Sequence, residues 1–170
     1  MWTPIKFSLI ALSFITITRP GSAAPLPPPQ ETVILTVSGQ IEQTNALHQA
    51  QFDRQMLLQL PQSTITTQTP WTEKAHVYEG VLLRDFLHYV GAQGHTLSAT
   101  ALNDYQTQID LDVIQPYPVL LALKENGRLM RVRDKGPIWI IYPLSEHPEL
   151  DQPQHHEDMI WQLRTLDVRP

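Results

Sequence analysis

The side chains with the most chemical potential fall in two segments of this sequence. Arg128-Leu129-Met130-Arg131-Val132-Arg133-Asp134-Lys135-Gly136-Pro137 holds four of the chain's twelve Lys and Arg residues. Beside a Gly-Pro turn, arginine forks can grip a phosphate or pyrophosphate bidentately, and Lys adds a point charge. The same charges also suit a hairpin arm neutralised by Asp134 and nearby carboxylates. Both readings stay open from sequence. The second segment gathers Glu146, His147, Glu149, Asp151, His155, His156, Glu157 and Asp158. Imidazole and carboxylate are ligands for borderline divalent metals, which makes His147, His155 and His156 the weak metal candidates. Their spacing matches no tight signature, and Pro148 and Pro153 mark a surface loop. The expectation is a solvated acidic loop. Its alternative is metal binding tuned by histidine protonation near a pKa of about 6.5. His48, His76, His88 and His95 stand alone and read as surface residues.

Other chemistries are excluded or lack a setting. The 170 residues contain no Cys, which removes disulfides, thiolate metal sites and cysteine nucleophiles. There is no glycine-rich phosphate loop and no G-x-S-x-G elbow. A formal charge of −5 argues against a nucleic-acid binder. Most aromatic residues sit at strand positions and read as core. Trp71, in Thr69-Pro70-Trp71-Thr72, sits in a turn, where it is either core or the wall of a pocket.

The frame that must position these residues begins with an export signal over residues 1–23. Lys6 precedes an apolar run from Phe7 to Ile17, and small residues follow at Gly21, Ser22, Ala23 and Ala24. Cleavage after Ala23 is expected. The apolar run is shorter than the ~20 residues of a spanning helix. Losing Lys6 and Arg19 leaves ten basic residues against seventeen acidic ones. A periplasmic location follows. Residues 24–31 form a Pro-rich extended leader, expected either to hold the domain off the membrane or to be disordered. A single domain fills 32–170.

Within that domain TVILTVSGQI reads as a strand, Phe52–Leu60 as a short amphipathic helix and Ser63–Thr69 as a strand. His76–Val81 is extended, and Leu82–Val90 is a helix closed by Gly91. Thr96–Leu102 and Tyr105–Leu111 read as a hairpin with a two-residue Asn103-Asp104 turn. Pro118–Lys124 is a strand leading into Asn126-Gly127, the strongest hairpin signal in the chain. Ile138–Tyr142 lacks polar alternation and is expected to be a central strand buried on both faces. Trp161–Val168 closes an α+β fold with a mixed sheet and short helices.

Four pieces in order carry a resemblance: EGVLLRDFL (79–87), ALNDYQTQI (101–109), YPVLLA (117–122) with Asn126-Gly127, and KGPIWIIYPL (135–144). Together they resemble the oxidoreductase molybdopterin-binding domain of the sulfite oxidase type, in its small, secreted, single-domain branch. The similarity runs from about Val33 to Val168. It implies a mixed-sheet α+β domain cradling a molybdenum–pterin cofactor. In that family a cysteine thiolate holds the metal, basic residues near an H-G-x-P-type turn hold the pterin phosphate, and a Lys lies before the last strand.

This sequence departs at each of those points. Thr64-Ile65-Thr66-Thr67 stands where the Cys is expected. The turn reads Arg133-Asp134-Lys135-Gly136-Pro137, without the His, and Trp161 occupies the place of the Lys. Thr hydroxyls substitute poorly for a soft anionic thiolate. The expectation is therefore a non-catalytic exported domain with no cofactor, binding a small ligand, possibly an anion, or an envelope protein partner. Its candidate pocket is Trp71, Tyr105, Arg131, Arg133, Lys135 and Trp161. Two alternatives stand beside it. One is a genuine molybdopterin-dependent oxidoreductase holding its cofactor without a cysteine, and the other is a purely structural interaction module.

Overall fold

The computed structural model describes residues 26–170, so the expected export signal and cleavage point lie outside the described residues. The alternating run after Thr32 forms β1 (Val33–Gly39), with Leu35 and Val37 buried. It pairs antiparallel with β2 (Ala50–Asp53), which passes directly into α1 (Arg54–Gln59). The expected helix over Phe52–Leu60 is thus shorter, and a strand precedes it. Phe52 fits both periodicities, and its pairing with Leu35 settles it as a strand residue. Asp53 caps the helix, its carboxylate accepting from Met56 N at 2.9 Å.

The first sheet continues with β5 (Thr96–Ala101), β6 (Gln106–Asp110) and β10 (Leu163–Arg169), in the order β2-β1-β10-β5-β6. The last strand therefore lies at the centre, parallel to β1 and antiparallel to β5. The β5–β6 connection is longer than the expected two-residue turn. Asp104 N donates to Ala101 O at 3.2 Å, and Asp104 alone in the loop has positive φ, at 64°. That is a tight turn followed by one left-handed residue.

The second sheet comprises β3 (Ser63–Thr67), β4 (His76–Leu82), β7 (Leu120–Glu125) and β8 (Arg128–Leu129), with β9 (Trp139–Ile141) also on β7. Asn126 and Gly127, at φ 48° and 75°, make the left-handed pair that the β7–β8 hairpin demands. β4 and β7 approach closely at a bulge beside Gly80. A Cβ there would lie 2.0 Å from Leu121 O.

Residues 138–142 are buried as expected, yet β9 is not flanked by two strands. One edge pairs with β7, and the other is satisfied by the chain entering β10. Ile140 N donates to Ile160 O at 3.0 Å, and Leu163 N donates to Ile138 O at 3.0 Å. These bonds seam the two sheets, and one continuous apolar core fills the space between them.

Two further helices follow the sequence pattern. α2 (Leu83–Tyr89) buries Leu83, Phe86 and Leu87 and ends at Gly91, and α3 (Leu111–Ile114) is capped by Asp110. The histidine-rich segment differs from the solvated loop expected of it. It forms α4 (Pro153–Asp158), with Pro153 in the first turn, where a missing N–H costs nothing. His155 and Asp158 are buried. The described leader residues are also fastened down. Leu26 is buried, Asn45 Nδ2 donates to Pro27 O at 2.8 Å, and Gln30 N and Glu31 N donate to Asp53 Oδ2 at 2.7 and 3.0 Å. No described helix is long and apolar enough to cross a membrane.

Candidate ligand-binding site

Three loops meet where the seam between the sheets reaches the surface. The turn after β3 brings Trp71, the β5–β6 loop brings Asn103 and Tyr105, and the end of α4 with its exit brings His156, Glu157, Met159, Ile160 and Trp161. Together with Ala101 they line a cavity of about 290 Å³. Met159 and Ile160 are buried, whereas Trp71 and Tyr105 are 39% and 45% exposed. The walls are therefore aromatic and reachable from solvent, with an aliphatic floor.

Local bonds hold each wall. Thr69 N donates to Thr72 Oγ1 at 2.9 Å and Trp71 N to Thr69 Oγ1 at 3.3 Å, a hydroxyl-braced turn that presents the indole. Trp71 meets Trp161 edge-to-face, ring centroids 5.1 Å apart, and lies 6.0 Å from Trp139. Trp139 is fully buried and donates Nε1–H to Met159 O at 2.9 Å, which anchors the floor. Behind it Tyr78 packs edge-to-face at 5.5 Å. Burial, reinforced by the charge of Glu125, keeps the Tyr78 hydroxyl neutral, with its pKa well above the ordinary phenol range. On the opposite wall, the Tyr105 hydroxyl donates to Glu157 O at 3.4 Å. Its pKa is raised by partial desolvation and then by the nearby Glu157 and Asp158 carboxylates.

A second, polar cavity of about 440 Å³ lies on the other side of Tyr105 and Glu157. Asp158 sits at its base. It accepts from Thr107 Oγ1 at 3.0 Å and Tyr142 Oη at 3.2 Å, and lies 3.4 Å from His155 Nδ1. His155 stacks on Tyr142 with centroids 5.4 Å apart. Burial raises the Asp158 pKa against these hydrogen bonds. The network ties α4 to β6 and to the end of β9.

Of the residues singled out from sequence, Trp71, Tyr105 and Trp161 come together in one cavity. Arg131, Arg133 and Lys135 are not part of its lining. Arg131 pairs with Asp134 across the turn, and Arg133 lies 3.9 Å from the same carboxylate. Asp134 is held below the ordinary carboxylate range chiefly by the Arg131 hydrogen bond. Lys135 Nζ lies 4.9 Å over the Trp139 ring. The three candidate imidazoles also stand apart. His147 contacts Glu149 and the edge of Tyr117, His155 is in the buried network, and His156 Nε2 bonds Asp151 at 2.6 Å. Among the described residues, no three His, Asp or Glu side chains converge on a metal position. Sequence reasoning missed Ala101, Asn103, Met159 and Ile160 as lining residues and placed Glu157 only in the acidic histidine-rich segment. The contribution of Glu157, Met159 and Ile160 depends on how α4 docks, for which the sequence carries no local signal.

No protein-family model matches the sequence, and no curated protein matches it. Among solved structures, the sulfane dehydrogenase SoxCD of Paracoccus pantotrophus is similar, with a TM-score of 0.59 over 79% of this chain at 18% identity. This chain spans 37% of the length of that one. At such identity the likeness shows the fold alone, a mixed-sheet α+β fold shared with that dehydrogenase.

A molybdenum–pterin group of the kind the sequence resemblance implies does not fit the donors present. The chain has no thiolate to offer. Where the cysteine is expected, Thr64 and Thr66 point to solvent from β3, and Thr67 is buried with Oγ1 accepting from Ser145 N at 3.0 Å. Trp161, where the resemblance leads one to expect a Lys, is a wall of the aromatic cavity.

Proposed function

We propose that this chain is an exported, non-catalytic domain that uses a sulfite-oxidase-type fold to bind a small ligand in the periplasm. The observation that carries this reading is the convergence of Trp71, Tyr105 and Trp161 on one cavity, with two of the three rings substantially exposed. Exposed aromatic surface is unfavourable in water unless something covers it, and concave aromatic sites are where small molecules bind. The cavity is at the small end of the ligand-site range, which favours a compact ligand. Beside the pocket, the missing thiolate removes the ligand through which the fold's redox enzymes hold their metal.

The competing reading is oxidation of a reduced sulfur compound, by analogy with the dehydrogenase that shares the fold. The composition of the protein isolated from its own cell envelope separates the two. The binding reading expects a small organic molecule to co-purify, with molybdenum far below one atom per chain. One molybdenum per chain, with electron transfer to an acceptor, overturns it.

A further inference from the structure

The cavity's own composition narrows the chemistry of its ligand. No Lys or Arg lines it. Its one carboxylate, Glu157, is exposed and has no Lys, Arg or His within ion-pair distance among the described residues. The neighbouring polar cavity adds Asp110 and Asp158 on the far side of Glu157, again without Lys or Arg. Glu157 and Asp158 thus place carboxylate charge beside the mouth, where after desolvation it also raises the Tyr105 phenol, while the one base in the lining, His156, is bonded to Asp151. These carboxylates disfavour an anion here; Arg131 and Arg133 belong to a different turn, and Arg164 at the β5–β6 loop is paired with Asp104.

Aromatic walls with an adjacent carboxylate suit an organic cation. Indole and phenol faces attract a cation through their quadrupole, and a soft, weakly hydrated ammonium is easily desolvated against them. Trp71 and Trp161 stand at 86° to one another, two adjacent walls of a cavity that Tyr105 also lines from the β5–β6 loop. The same aromatic cluster already holds one cation, Lys135 Nζ lying 4.9 Å over the Trp139 ring.

We propose that this pocket recognises a quaternary ammonium cation of about choline size, boxed by Trp71, Trp161 and Tyr105 and balanced by the Glu157 carboxylate. The inference rests on the binding reading above and deepens it by naming the ligand class. The same trimethylammonium group could reach the site free in solution or on a lipid headgroup.

The test titrates the full exported chain with choline and, separately, with 3,3-dimethylbutan-1-ol, which has the same shape without the charge. Binding is read from the indole N–H resonances. Choline is expected to bind at least about tenfold more tightly than the neutral alcohol, a difference of about 1.4 kcal/mol. Trp71→Leu should abolish binding, and Glu157→Gln should weaken choline several-fold while leaving the alcohol unchanged. Equal affinity for the two compounds, or binding of the alcohol alone, overturns the cation assignment and leaves the binding reading standing. Failure of choline to bind a chain whose resonances show it folded also overturns the assignment. The binding reading itself fails on a different result, one molybdenum per chain with electron transfer to an acceptor. Trp71-dependent sedimentation with phosphatidylcholine vesicles assigns the source to a lipid, and binding of free choline without sedimentation assigns it to a soluble cation.

Discussion

Trp71 and Trp161 meet edge-to-face at 5.1 Å although one follows an outer strand of the second sheet and the other leads into the central strand of the first. Their contact closes the seam between the sheets at the surface and forms two walls of the cavity. Behind them, Trp139 fixes the floor through Met159 O.

The front and back of this cluster should separate binding from stability. Trp71→Ala removes a half-exposed ring and is expected to cost about 1–2 kcal/mol, as one aromatic pair and limited burial imply, while abolishing ligand binding. Trp139→Phe leaves Met159 O without its donor in the interior and is expected to cost about 1–3 kcal/mol, and more if the smaller ring leaves a void. Urea unfolding of both variants, alongside a binding titration, checks the contrast.

Ionisation of Asp158 works against the fold. Because burial raises its pKa in the folded state, its contribution to stability is fully present below the ordinary aspartate range and is lost as pH rises through the raised value. Relative to Asp158→Asn, the wild-type chain should therefore gain stability as the pH falls from neutral towards that range. Unfolding midpoints of the two chains across pH measure the difference, and a constant offset would refute the assignment.

Asp53 has the opposite sign. The Met56 amide foremost, with the Glu31 and Gln30 amides, holds its carboxyl below the ordinary range. Its contribution is present above that range and fades as pH falls through the lowered value. Asp53→Ala should lower stability at neutral pH and free the segment around Gln30. Proton exchange at the Gln30 and Glu31 amides should accelerate in the variant, and the stability gap to wild type should narrow in acid.

Gly80→Ala tests the packing of the second sheet. Its Cβ would press on the Leu121 backbone, which cannot swing aside as a side chain could. A loss of about 1–3 kcal/mol or more is expected from forced separation of β4 and β7. Thermal unfolding checks this, and Gly127→Ala, whose cost is backbone strain without a clash, is the comparison.

The strands read most clearly in the sequence were those with a local signal. Asn126-Gly127 demanded a hairpin, and the unbroken apolar run at 138–142 demanded burial. Three features were hidden for physical reasons. β2 spans four residues and shares Phe52 with the helical pattern, so periodicity could not divide strand from helix. Pro153 reads equally as a loop marker and as a first-turn residue, and the choice depends on His155 and Asp158 finding Tyr142 and Thr107. The central place of β10 comes from pairing with β1 at the far end of the domain. The site was legible in the same uneven way. Trp71 stands out in the sequence as a turn aromatic, Trp161 as the residue in the place of a Lys and Tyr105 only as part of the candidate pocket, while Arg131, Arg133 and Lys135 stand out as a charge cluster. Only the packing of the sheets separates the two groups, and the acidic wall at Glu157 follows from the docking of α4.

Native mass spectrometry of the chain isolated from its own cell envelope, compared with Trp71→Ala prepared identically, tests the central claim most directly. The account predicts a wild-type mass equal to the polypeptide plus one small organic molecule, and a variant mass of the polypeptide alone. A molybdenum–pterin adduct on the wild-type chain, or the organic molecule at equal occupancy on Trp71→Ala, would contradict it.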